Sequence, residues 1–274
     1  MSLQNKYEQL LEILRGLDRV AVAFSGGVDS TFLLKAAVEA LGAENVLAVT
    51  SDAETYPERE LKEAMNLAKE IGSEHLVINY SELSIPGYAE NPINRCYFCK
   101  QELFTNLIPV AQERGFHQIV FGAIADDIGD YRPGFKAAVE KGVRAPLQEA
   151  GLTKLEIRSL SYQLGLKTWD KPSFACLSSR IPYGEEITQE KLTMIDKAEQ
   201  FLMDIGFRQV RVRQHGNLAR IEVLPEDIQK LASFNEMIVS KLKSIGYMYV
   251  TMDMQGFRSG SLNETLDISK LTLV

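Results

Sequence analysis

The sequence predicts an α/β protein in which a doubly wound parallel sheet is followed by a smaller α+β domain. From residue 19 onward, short β-branched runs alternate with longer helical patterns, which is the layout of βαβ units. A separate series of helices and strands follows residue 188. The 274 residues, 45% of them hydrophobic, favour one large or two modest domains, and the change of pattern near residue 188 favours two. We therefore expect domains at residues 1–167 and 188–274, joined by a linker at 168–187.

The first domain is expected to begin with an amphipathic helix within residues 1–18. Residues 123–142 are a Gly- and Asp-rich connection, and loops of this length in a compact domain are usually functional or disordered. The predicted strands are short apolar runs, at Val20–Phe24, Val46–Thr50, Leu76–Asn79 and Ile119–Phe121. The other predicted helices have apolar residues three or four apart, at 29–41, 58–71, 97–114 and 153–164.

The second domain is predicted from a shorter pattern of the same kind. The linker before it is polar, contains Pro172, Pro182 and Gly184, and carries Cys176. The predicted elements after it are a helix at 189–205, strands at 209–213 and 218–223, a helix at 226–244 and a strand at 247–252.

The overall charge and the apolar runs exclude some classes of protein. With 30 basic and 37 acidic residues the net charge is -7, the wrong sign for holding long stretches of nucleic acid, although a local basic stripe could still bind one. No apolar run approaches the roughly 18 residues of a membrane span, and the amino terminus lacks the pattern of a signal peptide. We expect a cytoplasmic protein with neither a membrane nor a nucleic acid as partner.

The strongest chemical signal lies between the first predicted strand and the first long helix after it. Two glycines there permit a tight turn, two serines supply hydroxyl donors, and a helix amino terminus adds about half a positive charge. No lysine precedes the second serine, so the motif differs from a Walker A loop. The alternative is a tight connection that binds nothing. The motif that predicts a pyrophosphate cradle consists of Ser25, Gly26, Gly27, Val28, Asp29 and Ser30.

The three cysteines form a second signal. Cys96 and Cys99 have a spacing that suits metal or redox chemistry, and three cysteines cannot form a disulfide framework. A closed zinc site needs a fourth ligand, and no histidine has ligand spacing from a cysteine. With Cys176, three thiolates on a four-iron cluster would leave one iron open. The alternative is that all three are ordinary structural residues.

The hexapeptide of the first signal resembles the PP-loop of the ATP pyrophosphatases, a superfamily with a Rossmann-like fold that splits ATP into AMP and pyrophosphate. Together with six further motifs it resembles the LarE family of ATP-dependent sulfur transferases, over about residues 15–265. The motifs are Ser25–Ser30, Asp126–Asp127, Asp130–Gly134, Trp169–Ser173, Ala175–Arg180, Pro182–Gly184 and Val210–Arg213.

The resemblance implies the substrate and the cofactors. The substrate is a small nucleotide, pyridinium-3,5-biscarboxylic acid mononucleotide, whose carboxylates are adenylated and thiolated on the way to the nickel-pincer cofactor of lactate racemase. Members with three cysteines resemble [4Fe–4S] enzymes, which implies Cys96, Cys99 and Cys176 as cluster ligands. In single-cysteine members the residue matching Cys176 gives up its own sulfur and becomes dehydroalanine. The family also implies a homo-oligomer.

Charged residues complete the expected site. On a strand, Arg211 and Arg213 share one face and suit a phosphate or a carboxylate pair, with Arg180 as a further substrate contact. The alternative is a solvated edge strand. Asp126, Asp127 and Asp130 are candidate Mg²⁺ ligands or merely a charged loop, and Asp29 is the firmer candidate.

Two other functions compete with an acyl-activating sulfur transferase. A tRNA thiolase of the same superfamily also pairs a PP-loop with clustered cysteines, but the net charge of -7 argues against RNA. A non-catalytic nucleotide sensor or cluster carrier would bind ATP without releasing pyrophosphate.

The segment 53–56, after the second strand, lies where nucleotides bind in open α/β sheets, or else it only caps the next helix.

Overall fold

The computed structural model describes residues 2–129 and 133–265. The chain forms two compact units. Of the described residues, the first unit contains those up to Ile85 together with those of Asn94–Phe174, and the second contains Pro86–Ile93 together with the residues from Ala175 to 265. The division thus falls inside the segment expected to be a linker, and a short segment far from it in sequence joins the second unit.

Hydrogen bonds from two side chains to backbone carbonyls explain where the linker divides. In the first unit Arg158 donates to the carbonyls of Trp169 and Lys171, at 2.6 and 2.9 Å. In the second unit the buried Asn91 amide donates to the carbonyls of Ile181 and Pro182. The residues before 175 and after it are therefore built into different cores.

The first unit contains the predicted parallel sheet. Its strand order is β3-β2-β1-β4, and every pairing in it is parallel. The chain places β2 and β3 on one side of β1 and β4 on the other, so the carboxyl ends of β1 and β4 form the switch point where ligands bind in such sheets. The strands are β1 (Val20–Ala23), β2 (Val46–Asp52), β3 (Glu74–Asn79) and β4 (Gln118–Phe121).

Helices cover both faces of this sheet, which confirms the doubly wound fold. Val20 and Val22 of β1 belong to a core with the first two helices, whereas Ala21 between them belongs to a second core with the fourth. The helices are α1 (Leu3–Arg15), α2 (Val28–Leu41), α3 (Glu58–Ile71), α4 (Arg95–Glu113), α5 (Pro133–Glu140), α6 (Pro146–Glu149) and α7 (Lys154–Gln163).

The second unit is a mixed three-stranded sheet with helices. Its order is β5-β6-β7, with β5 and β6 antiparallel and β7 parallel to β6. In the described chain no helix is long and apolar enough to cross a membrane. The elements are α8 (Gln189–Asp204), β5 (Val210–His215), β6 (Leu218–Val223), α9 (Ile228–Ser233), α10 (Asn235–Ile245) and β7 (Tyr249–Met252).

Two predicted elements differ from the structure. The connection at 123–142 contains α5, which starts at Pro133, a residue whose fixed φ suits the first helical position. The predicted helix 226–244 is broken at Phe234, whose ring packs against Phe207 at 6.5 Å between centroids. The backbone at Phe234, with φ -97° and ψ 16°, leaves the helical conformation there. Asp130 lies outside the described residues.

Asn91 gives a test of how the second unit is held together. Replacing Asn91 with Ala would leave buried carbonyls without their donor and put a residue other than Asn at φ 55°. We expect the free energy of unfolding to fall by about 1–3 kcal/mol, measured by urea denaturation. Asn5→Ala, on the exposed surface of α1, is the matched control and should change it by less than about 0.5 kcal/mol. Equal stability of the two variants would contradict this role of Asn91.

Candidate active site

The turn between β1 and α2 has the geometry of an anion cradle. Gly26 has a φ of +61°, and Gly27 is the extended residue that caps α2. The hydroxyls of Ser25 and Ser30 are 3.2 Å apart, and the Ser25 amide donates to the Ser30 hydroxyl at 3.3 Å. The N–H groups of the first turn of α2 have no carbonyl one turn earlier to bond. They are available to an anion at the carboxyl end of the central strand.

Asp29 lies in the first turn of α2 with one carboxylate oxygen committed and one not. Its Oδ2 is 2.5 Å from the Lys154 ammonium, while its buried Oδ1 has no hydrogen-bond partner among the described residues. Burial raises the pKa of Asp29, and the charge of Lys154 opposes that rise. A buried carboxylate oxygen without a donor is the kind of ligand that Mg²⁺ prefers. Asp29 Oδ1 is therefore the atom of this turn that could serve as an oxygen ligand for Mg²⁺.

Asp126 and Asp127 have hydrogen bonds to the backbone. Asp126 accepts from the Lys154 amide at 2.6 Å, at the start of α7, and Asp127 accepts from the Ile124 amide at 3.0 Å. These bonds favour the alternative in which the two carboxylates organise their loop. The charge of Asp127 also raises the pKa of Asp29.

A cavity of 540 Å³ opens beside the PP-loop. Asp52, Ala53 and Tyr56 line it from the end of β2, and Asn79 and Ser81 line it from the end of β3. The Tyr56 hydroxyl donates to the Ser25 carbonyl at 2.8 Å, which joins the cavity wall to the PP-loop. The segment 53–56 thus lies next to the cradle.

Cys96 and Cys99 lie in the first two turns of α4. At a spacing of three they share one face of the helix, with Cys96 exposed and Cys99 half-buried. The Cys99 thiol donates to the Glu82 carboxylate at 3.0 Å. Across residues 2–129 and 133–265, no three side chains of His, Cys, Asp or Glu form a metal-binding group. The first unit therefore contains two of the three predicted cluster ligands, Cys96 and Cys99, on one face of α4.

Cys176 precedes a short 3-10 helix, Leu177–Arg180, in the second unit. Arg180 is fully buried and donates to the carbonyls of Ala175 and Cys176, at 2.5 and 3.0 Å. Its other donors form a two-point ion pair with Glu199 at 2.8 and 2.9 Å. This geometry favours a role for Arg180 in holding the backbone that presents Cys176 over the substrate contact expected from the sequence.

Arg211 and Arg213 share one face of β5, as their spacing predicts, but that face is buried rather than solvated. Arg213 forms a two-point ion pair with Glu222 and donates to the Ser179 carbonyl at 2.7 Å. Arg211 lies over the Phe257 ring, with 5.4 Å from its guanidinium carbon to the ring centroid. The solvated edge strand is therefore excluded.

The charges around Arg211 favour an anion. Burial, and next the charge of Arg180, lower the pKa of Arg211 to about 9. The buried group contains three guanidiniums, Arg180, Arg211 and Arg213, and two carboxylates, Glu199 and Glu222. An excess of one positive charge in a buried group is relieved when an anion binds.

Two residues of the site escaped the sequence analysis. Lys154 is the first residue of α7, where a cation is unfavourable for the helix dipole, and that position was the available signal. Gly122 follows β4, and a Cβ on it would lie 3.1 Å from the Ser30 amide nitrogen. The glycine allows the backbone after β4 to approach the backbone at the start of α2. A single glycine in a sequence does not indicate such a contact.

Comparison with known proteins gives one matching family profile and several similar proteins. The sequence profile of the NAD synthase family matches residues 7–90. An NH(3)-dependent NAD(+) synthetase of Methanococcoides burtonii is 37% identical over 25% of this chain and 26% of its own. An uncharacterized protein of Synechocystis sp. is 46% identical over 96% of this chain and 99% of its own.

A third relative covers both chains almost fully and has a named activity. The pyridinium-3,5-bisthiocarboxylic acid mononucleotide synthase of Lactiplantibacillus plantarum is 39% identical over 98% of each chain. This similarity extends through the PP-loop, the Cys176 segment and the arginine-bearing strand. The chain therefore belongs to the LarE family of ATP-dependent sulfur transferases.

Proposed function

We propose that this protein adenylates the carboxylates of pyridinium-3,5-biscarboxylic acid mononucleotide with ATP and converts them to thiocarboxylates for the nickel-pincer cofactor. The proposal rests on the PP-loop at the switch point of the sheet. It is supported by the 39% identity with the Lactiplantibacillus synthase. We place the protein in the cytoplasm as a homo-oligomer. The exposed Tyr249 on edge strand β7 is consistent with self-association.

The first step is attack of a substrate carboxylate on the α-phosphorus of ATP. The bond between the α-phosphorus and its bridging oxygen breaks, and the leaving pyrophosphate takes the electron pair. Amides of the first α2 turn and the Ser25 and Ser30 hydroxyls would hold that pyrophosphate. Asp29 would hold Mg²⁺, which offsets negative charge on the phosphates when it is bound. Lys154 keeps the Asp29 carboxylate in place through its ion pair.

The substrate would be held in the second unit. Arg211 is the proposed contact for its phosphate, because burial and the nearby charge of Arg180 lower its pKa, and an anion beside it would offset both. Arg213 would support this contact from the same strand face while held by Glu222. Arg180 acts by presenting Cys176 rather than by touching the nucleotide.

The proposed sulfur source rests on the three thiols. We propose that Cys96, Cys99 and Cys176 hold a [4Fe–4S] cluster, which when bound supplies a transferable sulfide. Two of these thiols share one face of α4, and thiolates are the usual ligands of such clusters. In the alternative Cys176 gives its own sulfur to the substrate.

The adenylation step predicts the products of ATP cleavage. With substrate and Mg²⁺ present, we expect AMP and pyrophosphate, because the cradle holds a leaving pyrophosphate. Asp29→Asn should lower kcat by about 10²-fold or more, since it removes a charge near the reacting phosphates. Chromatography of the nucleotides measures both, and Asp18→Asn, a change beyond the end of α1, is the control. Formation of ADP and phosphate would refute the assignment.

The arginine contact predicts a selective loss of substrate affinity. Arg211→Ala should weaken binding of the mononucleotide by about 1.5–3 kcal/mol, or roughly 10- to 150-fold in Kd, because a charge-assisted bond to phosphate is lost. The Kd of ATP should stay unchanged, and calorimetric titration measures both. Arg208→Ala, just before β5, serves as the control. Equal weakening of ATP binding would show that the change is not specific to the substrate.

The sulfur source predicts the mass of the chain after turnover. With a cluster as the source, the intact mass is unchanged after reaction with ATP, Mg²⁺ and substrate, and turnover depends on added sulfide. Cys96→Ser and Cys99→Ser should then lose both iron and sulfur transfer while retaining AMP formation. If the intact mass instead falls by about 34 Da, the loss of H₂S as cysteine becomes dehydroalanine, Cys176 is itself the donor. Peptide mass spectrometry locates that change.

A further inference from the structure

The backbone carbonyls at the start of the PP-loop, from Phe24 to Gly27, each accept a hydrogen bond from outside the turn or from α2. Thr50 donates to the Phe24 carbonyl at 2.7 Å, and the Tyr56 hydroxyl donates to the Ser25 carbonyl at 2.8 Å. The Lys171 ammonium donates to the Gly26 carbonyl at 3.1 Å. The Gly27 carbonyl accepts from the Thr31 amide within α2. Four consecutive carbonyls are thereby fixed.

Fixing a carbonyl also fixes the amide behind it. In a trans peptide the C=O and the next residue's N–H point in opposite directions. Holding the Ser25 carbonyl orients the Gly26 N–H, and holding the Gly26 carbonyl orients the Gly27 N–H. Glycine can rotate these peptides at little steric cost, so a turn of Ser25-Gly26-Gly27 without outside donors would present either group to an anion. An outward carbonyl means an inward amide donor, as in an anion-binding nest.

The surroundings of Lys171 show that its ammonium is fully used. It has three N–H donors and three acceptors in reach: the Gly26 carbonyl, Glu60 at 2.9 Å and Glu63 at 2.8 Å. The two carboxylates come from α3, whose Ala64 also packs on Gly26, 3.1 Å from where a Cβ would be. Lys171 is 13% exposed. The lysine is thus held in place between α3 and the turn.

From this geometry we infer that Lys171 and Tyr56 are positioning residues for ATP: they hold the Gly26 and Ser25 carbonyls outward so that the loop amides face the pyrophosphate. Lys171 acts through the backbone and does not touch a phosphate, because its donors are occupied. Tyr56 has the same role one peptide earlier, with its ring packed edge-on against Phe174 at 6.2 Å between centroids. The inference rests on the proposed function only in taking the loop as the pyrophosphate site.

The test measures pyrophosphate binding directly, with inorganic pyrophosphate as the probe in calorimetric titration. Lys171→Met should weaken this binding by about tenfold and Tyr56→Phe by about threefold, since each removes one donor from a loop carbonyl. Lys167→Met is the matched control: this lysine is four residues away, pairs with Glu70 on the surface, and should leave the affinity unchanged. Thermal unfolding of each variant checks that it is folded.

Kinetics separate positioning from direct contact. A positioning role predicts that Lys171→Met raises the KM for ATP with kcat within about twofold, because ground state and transition state lose the same loop contacts. A fall in kcat with unchanged pyrophosphate affinity would mean that the lysine touches the reacting phosphates, and unchanged affinity in both variants would overturn the inference. If Lys171→Met does not fold, Tyr56→Phe alone decides. If the unaltered protein binds no pyrophosphate, the proposed function fails instead.

Discussion

The close packing around the turn between β1 and α2 is the constraint on which the first unit depends. A Cβ at Gly26 would lie 3.1 Å from Ala64 of α3, and a Cβ at Gly122 would lie 3.1 Å from the Ser30 amide at the start of α2. Side chains at either position would push α3 or β4 away from the turn. Because the central strand, two helices and the neighbouring strand converge there, the shape of the cradle and the packing of the sheet are one problem. Atoms that hold the fold are also those that shape the anion site.

The second unit meets a different constraint, the burial of charge. Arg180 and Glu199 are at most 1% exposed, and Arg213 is paired with a fully buried Glu222. Burial alone would raise the pKa of Glu199, but the charge and hydrogen bonds of Arg180 lower it below its usual range. Such pairs contribute little net stability, although removing one partner costs about 3–5 kcal/mol. They bring order to the Cys176 backbone rather than strength to the core.

The sequence predicted local features well and long-range ones poorly. The sequence predicts β1, its glycine turn and α2 because strand periodicity, turn residues and a helix start follow one another within about 20 residues. The burial of Arg211 and Arg213 could not be predicted from the sequence. Their spacing gives a shared face, but the Glu222 partner is on β6, and nothing local says whether that face meets solvent. Lys154 meets Asp29 across 125 positions, a pairing that only the folded sheet brings about.

The segment Pro86–Ile93 is part of the second unit although it leaves the first unit and returns to it. During synthesis, Asn91 emerges from the ribosome long before Ile181 and Pro182, whose carbonyls it binds. The core of the second unit therefore stays incomplete until the later part of the chain has been made. For the same reason neither unit corresponds to one continuous stretch of gene, and a fragment starting at Ala175 would lack a piece of its own core. Truncation or domain exchange at that boundary would have to carry the eight-residue segment along.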